Sequence, residues 1–142
     1  MIRQVISADL NRGVELLQQL WPEKQIKDGQ LHEVLEKYIG GSGYRIYGYE
    51  EDGILLGIIT VSFRWALFHE GKVAIIEDLI VDQAHRDKGI GRKLVRFAED
   101  RVAADGEVKA IELSSDLHRK AAHEFWEKCG YSKLAFQFRK EV

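Results

Sequence analysis

One stretch constrains this chain more than any other: residues 74–94, AIIEDLIVDQAHRDKGIGRKL. It reads as a strand, a short loop, and a helix that starts inside the loop Arg86-Asp87-Lys88-Gly89-Ile90-Gly91. Backbone N–H groups at a helix start have no intrahelical partner and carry the positive end of the helix dipole. Such a site suits a pyrophosphate if the backbone can be approached closely. Gly89 and Gly91 remove the Cβ atoms that would stand in the way, and Arg86, Lys88, Arg92 and Lys93 add positive charge.

The context supports that reading. The loop follows an apolar strand and opens a helix that buries Ile90, Leu94, Phe97, Ala98 and Val102. It is not a dinucleotide fingerprint, because G-x-G-x-x-G is absent, and it is not a Walker loop, because G-K-[ST] is absent. The ligand expected is a phosphate-bearing cofactor that needs no metal.

The flanking sequence gives an element order. Ile2–Ser7 is an expected strand, with Ser7 or Asp9 capping a helix that ends before Trp21-Pro22. A second helix spans roughly Gln30–Tyr38 and stops at Gly40-Gly41-Ser42-Gly43. Three strands follow, at Tyr44–Tyr49, Ile54–Trp65 and Val73–Val81, as an antiparallel meander. After the glycine-loop helix, Ala110–Ser114 is expected to lie parallel to Val73–Val81 through a helical crossover. Ser115 or Asp116 then caps a helix carrying Ala122, Phe125, Trp126 and Cys129, and Tyr131–Lys140 closes the chain as a strand.

At 142 residues, a single domain spanning 1–142 is expected. A net charge of −2 argues against general nucleic-acid binding, which calls for a strongly basic surface. No apolar run reaches the length of a membrane span and no signal peptide is visible, so a cytoplasmic location is expected. Cys129 is the only cysteine, which rules out an intrachain disulfide and argues against a cysteine-built metal site.

Val81-Asp82, the run His85–Arg92 and the later run Ala122–Tyr131 together resemble the GNAT superfamily of acetyl-CoA-dependent N-acetyltransferases. The resemblance covers nearly the whole chain. It implies an α/β fold: a mixed, mostly antiparallel sheet of six or seven strands, helices on both faces, and two splayed parallel central strands. It implies acetyl-CoA as cosubstrate, with the amides of Asp87, Lys88, Gly89, Ile90, Gly91 and Arg92 on the pyrophosphate and Arg86 beside them. Leu79, Ile80 and Val81 would pair their main chain with the pantetheine arm, and a β-bulge is expected near Leu79. Arg119 and Trp126 would also line the cofactor. Homodimers are common in similar proteins, though nothing in the sequence marks an interface.

The chain departs from the family pattern three times, once at Arg119, where many members carry an asparagine. Trp126 occupies the position where many members carry a tyrosine that protonates the leaving thiolate, and an indole cannot do that near neutral pH. Tyr131 is the candidate acid in its place, with Cys129 as the alternative and core packing as the plain reading of both. Ser114 replaces a glutamate that serves some members as base. Glu77, set in an otherwise apolar strand, is the candidate base, on the expectation that desolvation raises its pKa. Glu112 and Asp116 are the next candidates, and a solvent-facing strand residue or an ion pair is the plain reading of Glu77.

Glu77-Asp78 is similar to the corresponding strand of polyamine acetyltransferases, and Leu20-Trp21-Pro22 to a segment of aminoglycoside N-acetyltransferases. The leading acceptor is therefore a small cationic primary amine, aminoglycoside-like, with Trp21, Glu23, Asp78 and Asp116 as candidate contacts. A polyamine or a peptide or protein amine is the alternative within the class. A CoA-binding sensor that has lost its chemistry is the alternative outside it.

Overall fold

The structure is a computed structural model describing residues 1–142, and it divides into two compact units, Met1–Glu112 and Leu113–Val142. The first carries β1 (Ile2–Gln4), α1 (Leu10–Leu20), α2 (Asp28–Gly40), β2 (Tyr44–Glu51), β3 (Ile54–Ala66), β4 (Gly71–Val81), α3 (Ile90–Ala103) and β5 (Val108–Leu113). One sheet runs in the order β1-β2-β3-β4-β5. It is antiparallel through β4, and β5 joins parallel to β4. The Lys72 N–H donates to the Glu107 carbonyl at 2.8 Å where the two strands begin.

Two apolar layers hold this unit together. On one face, Leu16 and Leu17 of α1 and Leu35 of α2 meet Ile46, Ile58 and Ile80 of the sheet. Leu16 and Leu17 are essentially sealed from water, and burying a leucine contributes roughly 1.5–3 kcal/mol. On the other face, the Tyr47 ring meets Phe97 of α3 edge-on at 5.1 Å, and Leu94, Val95, Ala98 and Val102 of the same helix are buried. Helix α1 ends where Pro22 biases Trp21 out of the helical region, and Trp21 adopts φ −122°, ψ 69°.

The β3–β4 ladder carries the irregularity that matters most. Ile59 faces Leu79 and Thr60 faces Asp78, but Val61 faces Ile76. Glu77 is thus one residue too many, a β-bulge. It lies two residues earlier than the position expected near Leu79.

In the second unit, α4 (Lys120–Lys128) is amphipathic and ends at Gly130, whose φ is 96°. Its N-cap is Arg119 rather than Ser115 or Asp116. The Asp116 carbonyl accepts the Arg119 N–H at 3.0 Å and contacts His123 Nε2 at 2.8 Å, so Asp116 forms a turn before the helix instead of capping it.

Two expectations need correction. The sheet has five strands, not six or seven, and β5 lies at its edge rather than at its centre. Residues 132–142 form no strand. Leu134, Phe136 and Phe138 do alternate as a strand would, but they stand exposed. Alternation supplies the apolar face of a strand; only a neighbouring strand supplies the hydrogen bonds.

Candidate active site

The strand β4 delivers the chain to the glycine loop. Asp82, one residue past β4, accepts the Ala84 N–H at 3.0 Å and a charged hydrogen bond from Arg12 of α1. These contacts hold its carboxyl below the usual carboxylate range, the Ala84 amide contributing most and Arg12 next. Arg12 also donates to the Leu55 carbonyl at 2.9 Å, so the start of the loop is tied to both α1 and β3. Arg86 donates to the Val81 carbonyl at 3.1 Å, bracing the loop against the strand it leaves.

Within the loop, Asp87 (φ 62°) and Gly89 (φ 80°) both sit in the left-handed region. Gly89 is the N-cap of α3, and nothing lies within 4 Å of where its Cβ would be. Left-handed residues before a helix start turn successive amides towards one concavity, the geometry of an anion nest. Arg86, Asp87, Lys88, Gly89 and Arg92 are exposed, Ile90 is buried as the loop's apolar anchor, and Gly91 is half-buried. Lys93 is drawn over the Tyr49 ring at 5.8 Å. A pyrophosphate-bearing group fits this cradle: the backbone is bent to receive it, and the space over Gly89 is open.

The carboxylates lie further back on β4. Regular alternation would send Glu77 and Asp78 to opposite faces. The bulge brings them to the same one. Thr60 donates to Asp78 Oδ2 at 2.7 Å and Ser62 donates to Glu77 Oε1 at 2.9 Å, and Thr60 and Ser62 share a face of β3. Leu79 and Ile76 pair with Ile59 and Val61 on the opposite face, while Ile80 joins the α1–α2 core.

Burial distinguishes the two acids. Glu77 is exposed, whereas Asp78 is half-buried over fully buried Thr60. Burial pushes the Asp78 carboxyl above the usual carboxylate range; the Thr60 hydroxyl partly opposes this, and the Glu77 charge adds to it. The desolvation expected at Glu77 is thus found at its neighbour. A cleft of ≈ 490 Å³ bordered by Arg12, Glu51, Asp82 and His85 lies where the loop begins, and neither Glu77 nor Asp78 lines it.

The remaining sequence candidates are scattered. Trp21 packs against the α1–α2 core, and Glu23 is exposed in the connection that follows. Glu112 is held by Arg64 at 3.2 Å. In the second unit Asp116 and Arg119 are exposed. Trp126 is half-buried there, its ring edge-on to Phe125 at 5.1 Å and to Tyr131 at 5.5 Å. Sequence reasoning overlooked Tyr38 of α2, which sits among the charges of Glu77 and Asp78. Its signal was present in the helical spacing Leu31, Val34, Leu35, Tyr38, but it read as core packing.

The layout defines a class of fold: an α/β protein whose sheet leads into a glycine loop at a helix start, a geometry suited to an anionic group. A profile of the Acetyltransferase (GNAT) family matches residues 11–131. The chain belongs to that family and is an N-acetyltransferase. The glucosamine 6-phosphate N-acetyltransferase of Arabidopsis thaliana is 30% identical over 145 residues, 98% of this chain and 94% of that protein. The aminoalkylphosphonate N-acetyltransferase of Salmonella typhimurium is 30% identical over 91 residues, 64% of this chain and 58% of that protein. The aminoglycoside N-acetyltransferase AAC(6')-Iy, solved in complex with CoA, shares the fold at a TM-score of 0.86 and 18% identity, covering 100% of this chain and 95% of that one.

Proposed function

We propose that this chain moves the acetyl group of acetyl-CoA directly onto a small cationic primary amine. The observation that carries the reading is the bulge, which collects two adjacent carboxylates on one face of β4. A carboxylate pair suits an acceptor that arrives as an ammonium ion.

Acetyl-CoA supplies an activated thioester. The amides of residues 87–92 hold its pyrophosphate, with Arg86 beside them. The main chain of Leu79, Ile80 and Val81 pairs with its pantetheine amides as an added strand would. An N–H there stabilises the charge that grows on the thioester oxygen. For Arg119, Trp126 and Tyr131 the reading rests on their motif positions: the first two at the cofactor, and Tyr131 as proton donor to the leaving thiolate.

The amine must lose a proton before it can attack. With a pKa near ~10, only about 0.1% of it is neutral at pH 7. A base works best when its own pKa approaches the working pH, and a well-placed one contributes roughly 10²–10⁴-fold. Asp78 is pushed in that direction by burial. Asp78 therefore takes the proton, and exposed Glu77 draws in the ammonium. The new N–C bond forms as the C–S bond breaks, the amine proton passes to Asp78, and CoA leaves as thiolate for Tyr131 to protonate.

The test is release of free CoA thiol from acetyl-CoA across kanamycin, spermidine, a lysine peptide, glucosamine 6-phosphate and 2-aminoethylphosphonate. The highest kcat/KM is expected with a polycation. Preference for the phosphate- or phosphonate-bearing amines, which the two curated relatives are named for, would overturn the cationic acceptor. Acetyl-CoA binding with no amine-stimulated turnover would mark the chain as a sensor.

A further inference from the structure

Four polar side chains and two aromatic rings converge on the face that the bulge creates. Tyr44 is the direct cross-strand partner of Ser62, so its ring stands beside the Ser62–Glu77 hydrogen bond. Tyr38 reaches the same place from α2, its ring centroid 4.8 Å from that of Tyr44 at a tilt of 49°. The pair is built with some care. A Cβ on Gly41, where α2 ends, would fall 2.9 Å from Tyr44 Cδ2 and 2.6 Å from the Lys37 carbonyl, so the Tyr44 ring requires glycine there. Tyr44 nevertheless remains 39% exposed.

The charges that act on Tyr38 are negative, and Arg64, the cation two residues beyond Ser62 on β3, is engaged by Glu112 at 3.2 Å. Tyr38 is pushed up to about 12, first by burial and then by the negative charges of Glu77 and Asp78, so it stays a neutral phenol. The cation nearest in sequence, Arg45, is turned away: its guanidinium lies 5.6 Å over the Phe63 ring and donates to the carbonyls of Ser42 and Tyr44. Phe63 follows Ser62 and so points to the opposite face of the sheet. Beside the two tyrosines the bulge face thus presents the carboxylates of Glu77 and Asp78 next to an exposed aromatic ring, and a cation is attracted by both.

We propose that Tyr38 and Tyr44 form, with Glu77 and Asp78, an aromatic–carboxylate seat that recognises the acceptor through its ammonium group. Tyr44 supplies the ring face, Tyr38 fixes the tilt of that ring and lends its hydroxyl, and the carboxylates carry the countercharge. The inference rests on the amine-transfer reading above and adds what selects the amine: a cation with bare N–H or C–H surface to lay on a ring. An acceptor that carries an anionic group next to its amine is repelled by the same two carboxylates.

Tetramethylammonium provides a probe that cannot be acetylated. Its binding to the full chain with acetyl-CoA present is followed by ligand-observed NMR and by inhibition against the best amine of the panel. Competitive inhibition is expected with wild type. Tyr44→Leu should weaken tetramethylammonium and raise the amine KM by roughly three- to thirty-fold, with kcat and the acetyl-CoA KM unchanged. Tyr44→Phe, which keeps the ring, should behave as wild type, and melting temperatures of both variants report on folding. Inhibition that is not competitive, an unmoved amine KM in Tyr44→Leu, or equal losses in the Leu and Phe variants would overturn the seat. If wild type turns over no amine, the functional reading fails, while ring-dependent binding of tetramethylammonium would still uphold the seat.

Discussion

The bulge face lies on β4 and the glycine loop follows it, yet they are built from different materials. The loop presents backbone: left-handed Asp87 and Gly89 and the first amides of α3. The bulge face presents side chains: two carboxylates, two hydroxyls and a pair of tyrosine rings. Backbone amides are the same in every chain, so a cradle made from them serves one cosubstrate across a whole family. Side chains are particular, and the proposed acceptor face is where they converge. On the proposed reading the two halves of the reaction are separable, and they should fail separately.

The largest effect is expected at the cradle. Gly89→Val places a β-branched side chain at φ 80°, a region costly for any L-residue, and fills the open space above the loop. Acetyl-CoA affinity measured by calorimetry should fall by about 10–100-fold. Tetramethylammonium binding to the same variant should persist; joint loss would show that the two regions are not separable.

A smaller but more diagnostic effect is expected on the bulge face. Asp78→Asn should lower kcat by about 10²-fold and remove the acid limb of the pH–rate profile. Glu77→Gln should leave that limb in place and act mainly on the amine KM. If the limb instead disappears with Glu77→Gln, the exposed carboxylate is the base and burial is not what tunes it. The same Asp78 carries a stability signature. A carboxyl whose folded pKa is raised above its unfolded value binds its proton more tightly in the folded state. Ionisation of Asp78 therefore works against folding as pH rises above the usual carboxylate range, and Asp78→Asn should relieve that penalty at neutral pH but not in acid.

The smallest effect is expected at Asp82, which anchors the loop without belonging to it. Its folded pKa is lowered, so its contribution to stability is full above the ordinary aspartate pKa and fades as pH drops through the folded value. Asp82→Asn should cost about 1–3 kcal/mol by denaturant unfolding at pH 7, from loss of the charged bonds to Arg12 and Ala84, and little in strong acid.

Legibility in the sequence followed the same division. The glycine loop and the start of α3 were readable because a glycine-rich helix start has a local signature, its loop, cap and apolar periodicity lying close together in the chain. The meander and both core helices were readable for the same reason. The bulge was not placed correctly, because Glu77 is surplus only relative to Val61 and Thr60 sixteen residues away, and no single-strand pattern marks that. Nothing on their separate elements marks Tyr38 and Tyr44 as neighbours; their convergence depends on the turn at Gly41. The C-terminal segment misled in the opposite way. The alternation of Leu134, Phe136 and Phe138 is a strand pattern without a strand partner.

On the proposed reading, the surplus residue in β4 also says how such an enzyme can change its acceptor. Remove Glu77 and the ladder closes without a gap, with Ile76 and Asp78 falling into plain alternation opposite Val61 and Thr60. The sheet survives, the cradle beyond it is untouched, and the acceptor face loses half its charge at a stroke. A change of one in chain length at this point is thus a step in substrate space that leaves the scaffold standing. Lineages that differ by a single codon there would be read as near-identical by their folds and yet meet different amines.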